Sequence, residues 1–167
     1  MSLVNRAKSM LVTSKQEWAT IDNETASPSS MLTGYVLPLA LAGAAAAFIG
    51  YGLIGSSFMG IKVGGTIKYG MYQALVSLIS VSVGFYLTTY VVDMLAPNFK
   101  SEKDLNKSAQ LIAYSYTPAL VGSLLAVIPA IAWLGSLFGL YSIYLIYLGL
   151  HILKKTPEEQ RVVYLVV

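Results

Sequence analysis

Two long apolar runs without a single charge, joined by almost nothing, constrain this chain more than any other feature. The first begins at Leu111, passes Pro118 and stays apolar to Ile128. The second follows a turn at Pro129 and ends at Leu153, just before Lys154-Lys155-Thr156-Pro157. A helix of about 20 apolar residues crosses a hydrocarbon core of about 30 Å, and a charge-free run of about 18 or more is read as a span. So short a connection predicts an antiparallel helical hairpin inside a bilayer.

Composition agrees. Charged residues make up 11% of the chain, against about a quarter in a soluble domain. The runs are continuous, so they lack the polar–apolar alternation of a transmembrane barrel. The net charge of +3 reflects basic residues flanking the spans, so no nucleic-acid partner is expected. The absence of cysteine excludes disulfide and thiol chemistry.

The expected fold is an all-α polytopic bundle: an amphipathic interfacial segment over 1–30 and a transmembrane domain over 31–167. Its spans are expected at about 31–54, 69–95, 108–128 and 130–153, with a truncated fifth at 160–167. In the N-terminal segment, Val4, Ala7, Leu11, Trp18 and Ile21 form one helical stripe. Arg6, Lys8 and Lys15 lie off it, and Trp18 suits the headgroup layer. We therefore expect one helix lying on the membrane surface. Ala26-Ser-Pro-Ser-Ser30 ends it and supplies caps for the next helix. In the first span, Ala42, Ala46 and Gly50 recur at steps of four, a spacing that lets another helix approach closely. That face serves intramolecular packing and a homo-oligomer equally well. Pro38 removes a backbone donor and predicts a kink. Gly55 to Lys68 reads as a glycine-rich loop.

Lys and Arg set the orientation. Arg6, Lys8, Lys15, Lys100, Lys103, Lys107, Lys154, Lys155 and Arg161 fall on one side, and Lys62 and Lys68 on the other. The N-terminus is therefore expected in the cytoplasm. With that orientation, Tyr35, Pro38, Tyr114, Ser115, Tyr116, Thr117 and Pro118 share the cytoplasmic half with Asp93, Tyr144 and His151. Two readings are open. These residues line a polar cleft whose kinked helices expose carbonyls, or they sit at headgroup level with hydroxyls bonded back to the backbone near each proline. Asp93 and His151 could lie at similar depth, as a structural ion pair or as residues placed at the interface. Without a nucleophile or further ligands they form neither a triad nor a metal site. No phosphate loop, dinucleotide glycine motif or nucleophile elbow is present. No enzyme activity and no cofactor are expected.

Several segments carry a resemblance. Ala113-Tyr-Ser-Tyr-Thr-Pro118, Ile128-Pro-Ala-Ile-Ala-Trp133, Tyr144-Leu-Ile-Tyr-Leu-Gly149 and Lys155-Thr-Pro-Glu-Glu159 resemble the Yip family of membrane proteins (Ypt-interacting proteins), in its bacterial branch. Thr13-Ser-Lys-Gln-Glu-Trp18 and Gly34-Tyr-Val-Leu-Pro38 also look like that branch. The resemblance implies five transmembrane helices and a cytoplasmic N-terminus; here the fifth is nearly missing. Eukaryotic members bind Rab GTPases and act in vesicle traffic and membrane shaping. A Rab partner is not expected for a bacterial member, and the family supplies no catalytic residues. The expectation is a non-enzymatic inner-membrane scaffold or adaptor that contacts the lipid bilayer and other membrane proteins. The alternative is a small transporter, channel or lipid-moving protein using the cleft.

Overall fold

The structure is a computed structural model. It describes residues 2–58 and 61–167, with only the backbone described for 56–58 and 61–63. The helices are α1 (Leu3–Val12), α2 (Ser14–Asp22), α3 (Pro28–Ile54), α4 (Ile67–Phe99), α5 (Leu105–Val127), α6 (Leu134–Leu153) and α7 (Glu158–Val166). Four of them, α3 to α6, are long and apolar enough to cross a membrane. The fold is thus a polytopic helical bundle. Part of the expected glycine-rich loop is a short antiparallel hairpin of β1 (Ser56–Phe58) and β2 (Ile61–Val63), with Ser56 opposite Val63. Met59 and Gly60, also in that loop, lie outside the described residues.

Local chemistry fixes the helix starts. The Ser27 hydroxyl accepts from the Ser30 N–H at the head of α3, with Pro28 in the first turn. The side chains of Thr66 and Asp104 do the same for α4 and α5. Each satisfies a backbone donor that the helix itself leaves free.

Prolines shape the interiors. In α3 the backbone widens to a π-helix over Leu32–Val36, just ahead of Pro38. The proline has no N–H for the carbonyl four residues back, and its ring crowds that carbonyl; the wider turn accommodates both. A second π stretch covers Phe48–Ile54 and ends at Gly55, whose φ of 68° suits glycine. In α5, regular helix stops at Ser115 and resumes at Thr117, beside Pro118, then tightens to a 3₁₀ form over Ser123–Val127. The turn at Pro129 is itself a short 3₁₀ segment, so α6 begins at Leu134.

The helices meet through glycine. A Cβ on Gly50 would fall on the Ala126 carbonyl oxygen, and one on Gly43 would fall on the Ser123 hydroxyl. Gly52 faces Gly70 across α3 and α4, and Gly122 faces Gly135 across α5 and α6. Ala46 is buried, but Ala42 is exposed. Close approach is seen at Gly43 and Gly50, so of the expected 42–46–50 row Ala46 and Gly50 are buried and Ala42 alone is not. A helix turns about 100° per residue, so Gly43, one residue on, meets the neighbour where Ala42 does not.

The N-terminal segment also departs from expectation. It is two helices broken at Thr13, not one, and α2 packs along α6. Trp18 and Ile21 are fully buried. The Trp18 indole lies against Gly149, where a Cβ would collide with it, and meets the Tyr114 ring edge-on at 6.4 Å. The expected headgroup tryptophan is a core residue instead. Val4, on the predicted stripe, is 71% exposed, because the break at Thr13 turns α1 away from the line of α2.

Candidate functional site

The polar residues concentrate at the end of the bundle that holds the α4–α5 connection and the α6–α7 connection, here called the ionic end. Asp93 near the end of α4 sits 3.3 Å from the Lys154 ammonium. The Ser108 hydroxyl lies 3.1 Å from Asp93, and Lys154 reaches Ser108 at 2.7 Å and the Asp104 carbonyl at 3.2 Å. The Lys154 side chain is fully buried. Burial pulls its ammonium below the ordinary lysine value, with Asp93 opposing the shift. The Glu102 N–H donates to the Lys154 carbonyl, and the hydroxyls of Ser101 and Thr156 meet at 2.9 Å. Together these bonds tie α4, α5, α6 and both connections into one knot.

Of the two readings of Asp93 and His151, an ion pair between them is not formed. His151 is exposed, and the partner of Asp93 is Lys154, three residues further on. Three residues turn a helix by about 300°, and Lys154 caps α6 just past Leu153, so it faces inward where His151 faces out. There its ammonium meets both Asp93 and Ser108.

A second polar group fixes the N-terminal helices. The Arg6 guanidinium pairs with Glu17 at 2.5 Å and with Glu24, and lies 5.6 Å from the centre of the Tyr114 ring. Arg6 and Glu17 are both buried. Burial alone would lower the arginine pKa, but the Glu24 and Glu17 carboxylates outweigh it and the net shift is upward. Lys107 donates to the Asp22 and Glu24 carbonyls and pairs with the Asp22 carboxylate at 3.3 Å, while Gln110 donates to the Glu24 carbonyl. The sequence offers a signal for these contacts only in hindsight: opposite charges on two short helices that a break at Thr13 folds together.

The third group surrounds the proline of α5. Pro118 cannot donate to the Tyr114 carbonyl one turn earlier. The Thr117 hydroxyl takes that place, donating to the Tyr114 carbonyl at 2.6 Å. With its proton so used, Thr117 accepts from the Tyr35 hydroxyl at 2.7 Å. The Tyr35 and Tyr114 rings cross at 4.7 Å. Tyr35, Tyr114, Ser115, Thr117 and Pro118 are all buried. Tyr116 points to the other side and shares a 3.2 Å hydrogen bond with Thr88.

The structure thus brings Tyr35, Tyr114 and Thr117 together, but as a closed cluster and not as an open cleft. Pro38 and Tyr144 are exposed and stand apart from it. Tyr144 stacks on Tyr141 at 5.7 Å, beside the Thr13 break. Hydroxyls taken up by backbone freed at a proline leave few donors for a solute. The side-chain oxygens of Thr89, Ser115 and Ser142 are buried without a partner among the described residues.

No curated protein and no solved structure matches the chain. The family model described as the Yip1 domain matches residues 8–167, which takes in α2 to α7 and the second half of α1. With four helices of membrane-spanning length, the chain is an integral membrane protein that belongs to the Yip family.

Proposed function

We propose that this protein is a non-enzymatic scaffold or adaptor, holding other membrane proteins or lipid in a bacterial inner membrane with its N-terminus in the cytoplasm. The observation that carries this reading is where the polar side chains spend their hydrogen bonds. Asp93, Ser108, Lys154, Tyr35 and Thr117 bond to one another or to the backbone, so they stiffen the bundle. A carrier needs such groups facing a path. Intramembrane ionisable residues are functional candidates by default, and here their work is to lock helices and connections together. The orientation rests on the nine Lys and Arg flanking one end against Lys62 and Lys68 at the other. The bacterial setting rests on the motifs around Tyr114 and Lys155.

Affinity purification from native membranes in mild detergent, followed by mass spectrometry, tests the scaffold. A stoichiometric membrane-protein partner is the expected result. A preparation with no protein partner that drives solute flux in liposomes would overturn the reading in favour of a transporter.

A further inference from the structure

A cavity of about 360 Å³ lies between α3, α4 and the second half of α5, away from the ionic end. Small residues form its walls: Gly43, Ala44 and Ala47 from α3, Ala119 and Ala126 from α5. Protein interiors are close-packed and rarely leave such a volume, whereas ligand pockets of roughly 300–1,000 Å³ are mostly apolar with a few placed polar groups. The floor is Tyr116, whose hydroxyl is engaged by Thr88. Helices α4 and α5 pack together up to that level, but α4 makes little contact with the Thr117–Val127 half of α5. The cavity therefore opens sideways between two membrane-spanning helices.

Its polarity is graded along α4. Val81, Ser77 and Gln73 line it at intervals of four. The Ser77 hydroxyl is bonded to the Ala74 carbonyl. The Gln73 carboxamide has no hydrogen-bond partner among the described residues, although an unpaired amide in an apolar setting is costly. Lys68 lies beyond Gln73 toward the same end, exposed and without a carboxylate partner among the described residues. Tyr51 and Tyr69 meet edge-on at 6.1 Å at this level, and Tyr72 and Trp133 stand exposed there. Aromatic residues of this kind mark the headgroup layer. From the floor outward the lining runs from hydrocarbon to hydroxyl to amide, and the Lys68 cation lies past its outer end, off the lining face.

We propose that the cavity holds one acyl chain of a bilayer phospholipid. The chain lies among the alanines and glycines, the ester carbonyl accepts from the Gln73 amide, and the phosphate faces Lys68. The site goes beyond the scaffold reading and does not depend on it, since a lipid can fill it with or without a protein partner.

The test uses the full chain in vesicles of phosphatidylglycerol carrying a diazirine in one acyl chain, with labelled residues mapped by mass spectrometry. Label is expected on cavity residues such as Ala44, Val81 and Ala119. Ala44→Leu, which fills the cavity, is expected to lower that label about tenfold, as it would if one or two methylene groups of the acyl chain were kept out. Gln73→Leu, at a half-exposed position that leaves the fold intact, is expected to lower it roughly fivefold, the worth of one hydrogen bond. Label confined to outward-facing residues such as Leu41 and Ile79, or cavity label unchanged in Gln73→Leu, would overturn the proposal.

Discussion

The two ends of this bundle are held by different physics. At the ionic end, charges and hydroxyls join elements far apart in sequence, as Asp93 with Lys154 and Lys107 with Asp22, and Arg6 with Glu17 and Glu24 fastens the two N-terminal helices together. At the opposite end hardly a polar side chain bridges two helices. Backbones touch through Gly50 on Ala126, Gly52 on Gly70 and Gly122 on Gly135, and a cavity remains between them. In lipid the hydrophobic effect does not drive helices together, so close van der Waals approach or interhelical hydrogen bonds must do so. The molecule uses one device at each end. The polar device fixes which connections and which N-terminal helix lie where. The small-residue device fixes distance alone, and leaves room for something else to enter.

Substitutions should separate the two. The largest effect is expected at the buried pair. Lys154→Met leaves Asp93 buried without its cation and should cost about 3–5 kcal/mol. Adding Asp93→Asn should recover much of that loss; thermal unfolding in detergent reads both. If the double variant is no better than the single one, the knot is not organised around this charge pair. Next comes Gly50→Val, which drives a branched side chain into the Ala126 carbonyl and should cost about 3 kcal/mol through overpacking. The exposed Ala42→Val should stay within about 0.5 kcal/mol. Equal effects at the two sites would contradict the placement of the packing face.

A smaller effect is expected from Thr117→Val, which keeps the shape but leaves the Tyr114 carbonyl and the Tyr35 hydroxyl buried without their partner. A loss of about 1–3 kcal/mol is expected, with faster hydrogen exchange around Tyr114. Smallest of all is Lys155→Ala. Its pair with Glu102 is 2.7 Å long but both side chains are more than half exposed. Exposed pairs contribute little and weaken with salt. An effect of Lys155→Ala as large as that of Lys154→Met would erase the distinction between buried and surface charge at this end.

Much of the architecture was legible in the chain. Charge-free runs mark helices of membrane-spanning length, Ser27-Pro28 marks the head of α3, and Pro118 marks the break in α5. These features depend on residues close in sequence. The candidate site was legible only in part. Tyr35, Tyr114 and Thr117 do come together, because both prolines disturb neighbouring backbone at the same level of the bundle. Their closing into a cluster, with the Thr117 hydroxyl taking the Tyr114 carbonyl, depends on side-chain geometry that spacing does not contain. The partner of Asp93 was missed for a similar reason. His151 and Lys154 both lie near the end of α6, and choosing between them requires knowing how that last turn faces α4.

By itself, then, the sequence determined a membrane-embedded helical bundle, its turns and its caps, since length, apolarity and missing backbone donors act locally. The tertiary structure decided which face of each helix meets another. It set Gly43 inward and Ala42 outward, buried Trp18 against Gly149, gave Asp93 to Lys154, and left a cavity below Gln73. A helix rotates about 100° with each residue, so a face is defined only once a neighbour is in place, and for the N-terminal helices the break at Thr13 sets which face that is.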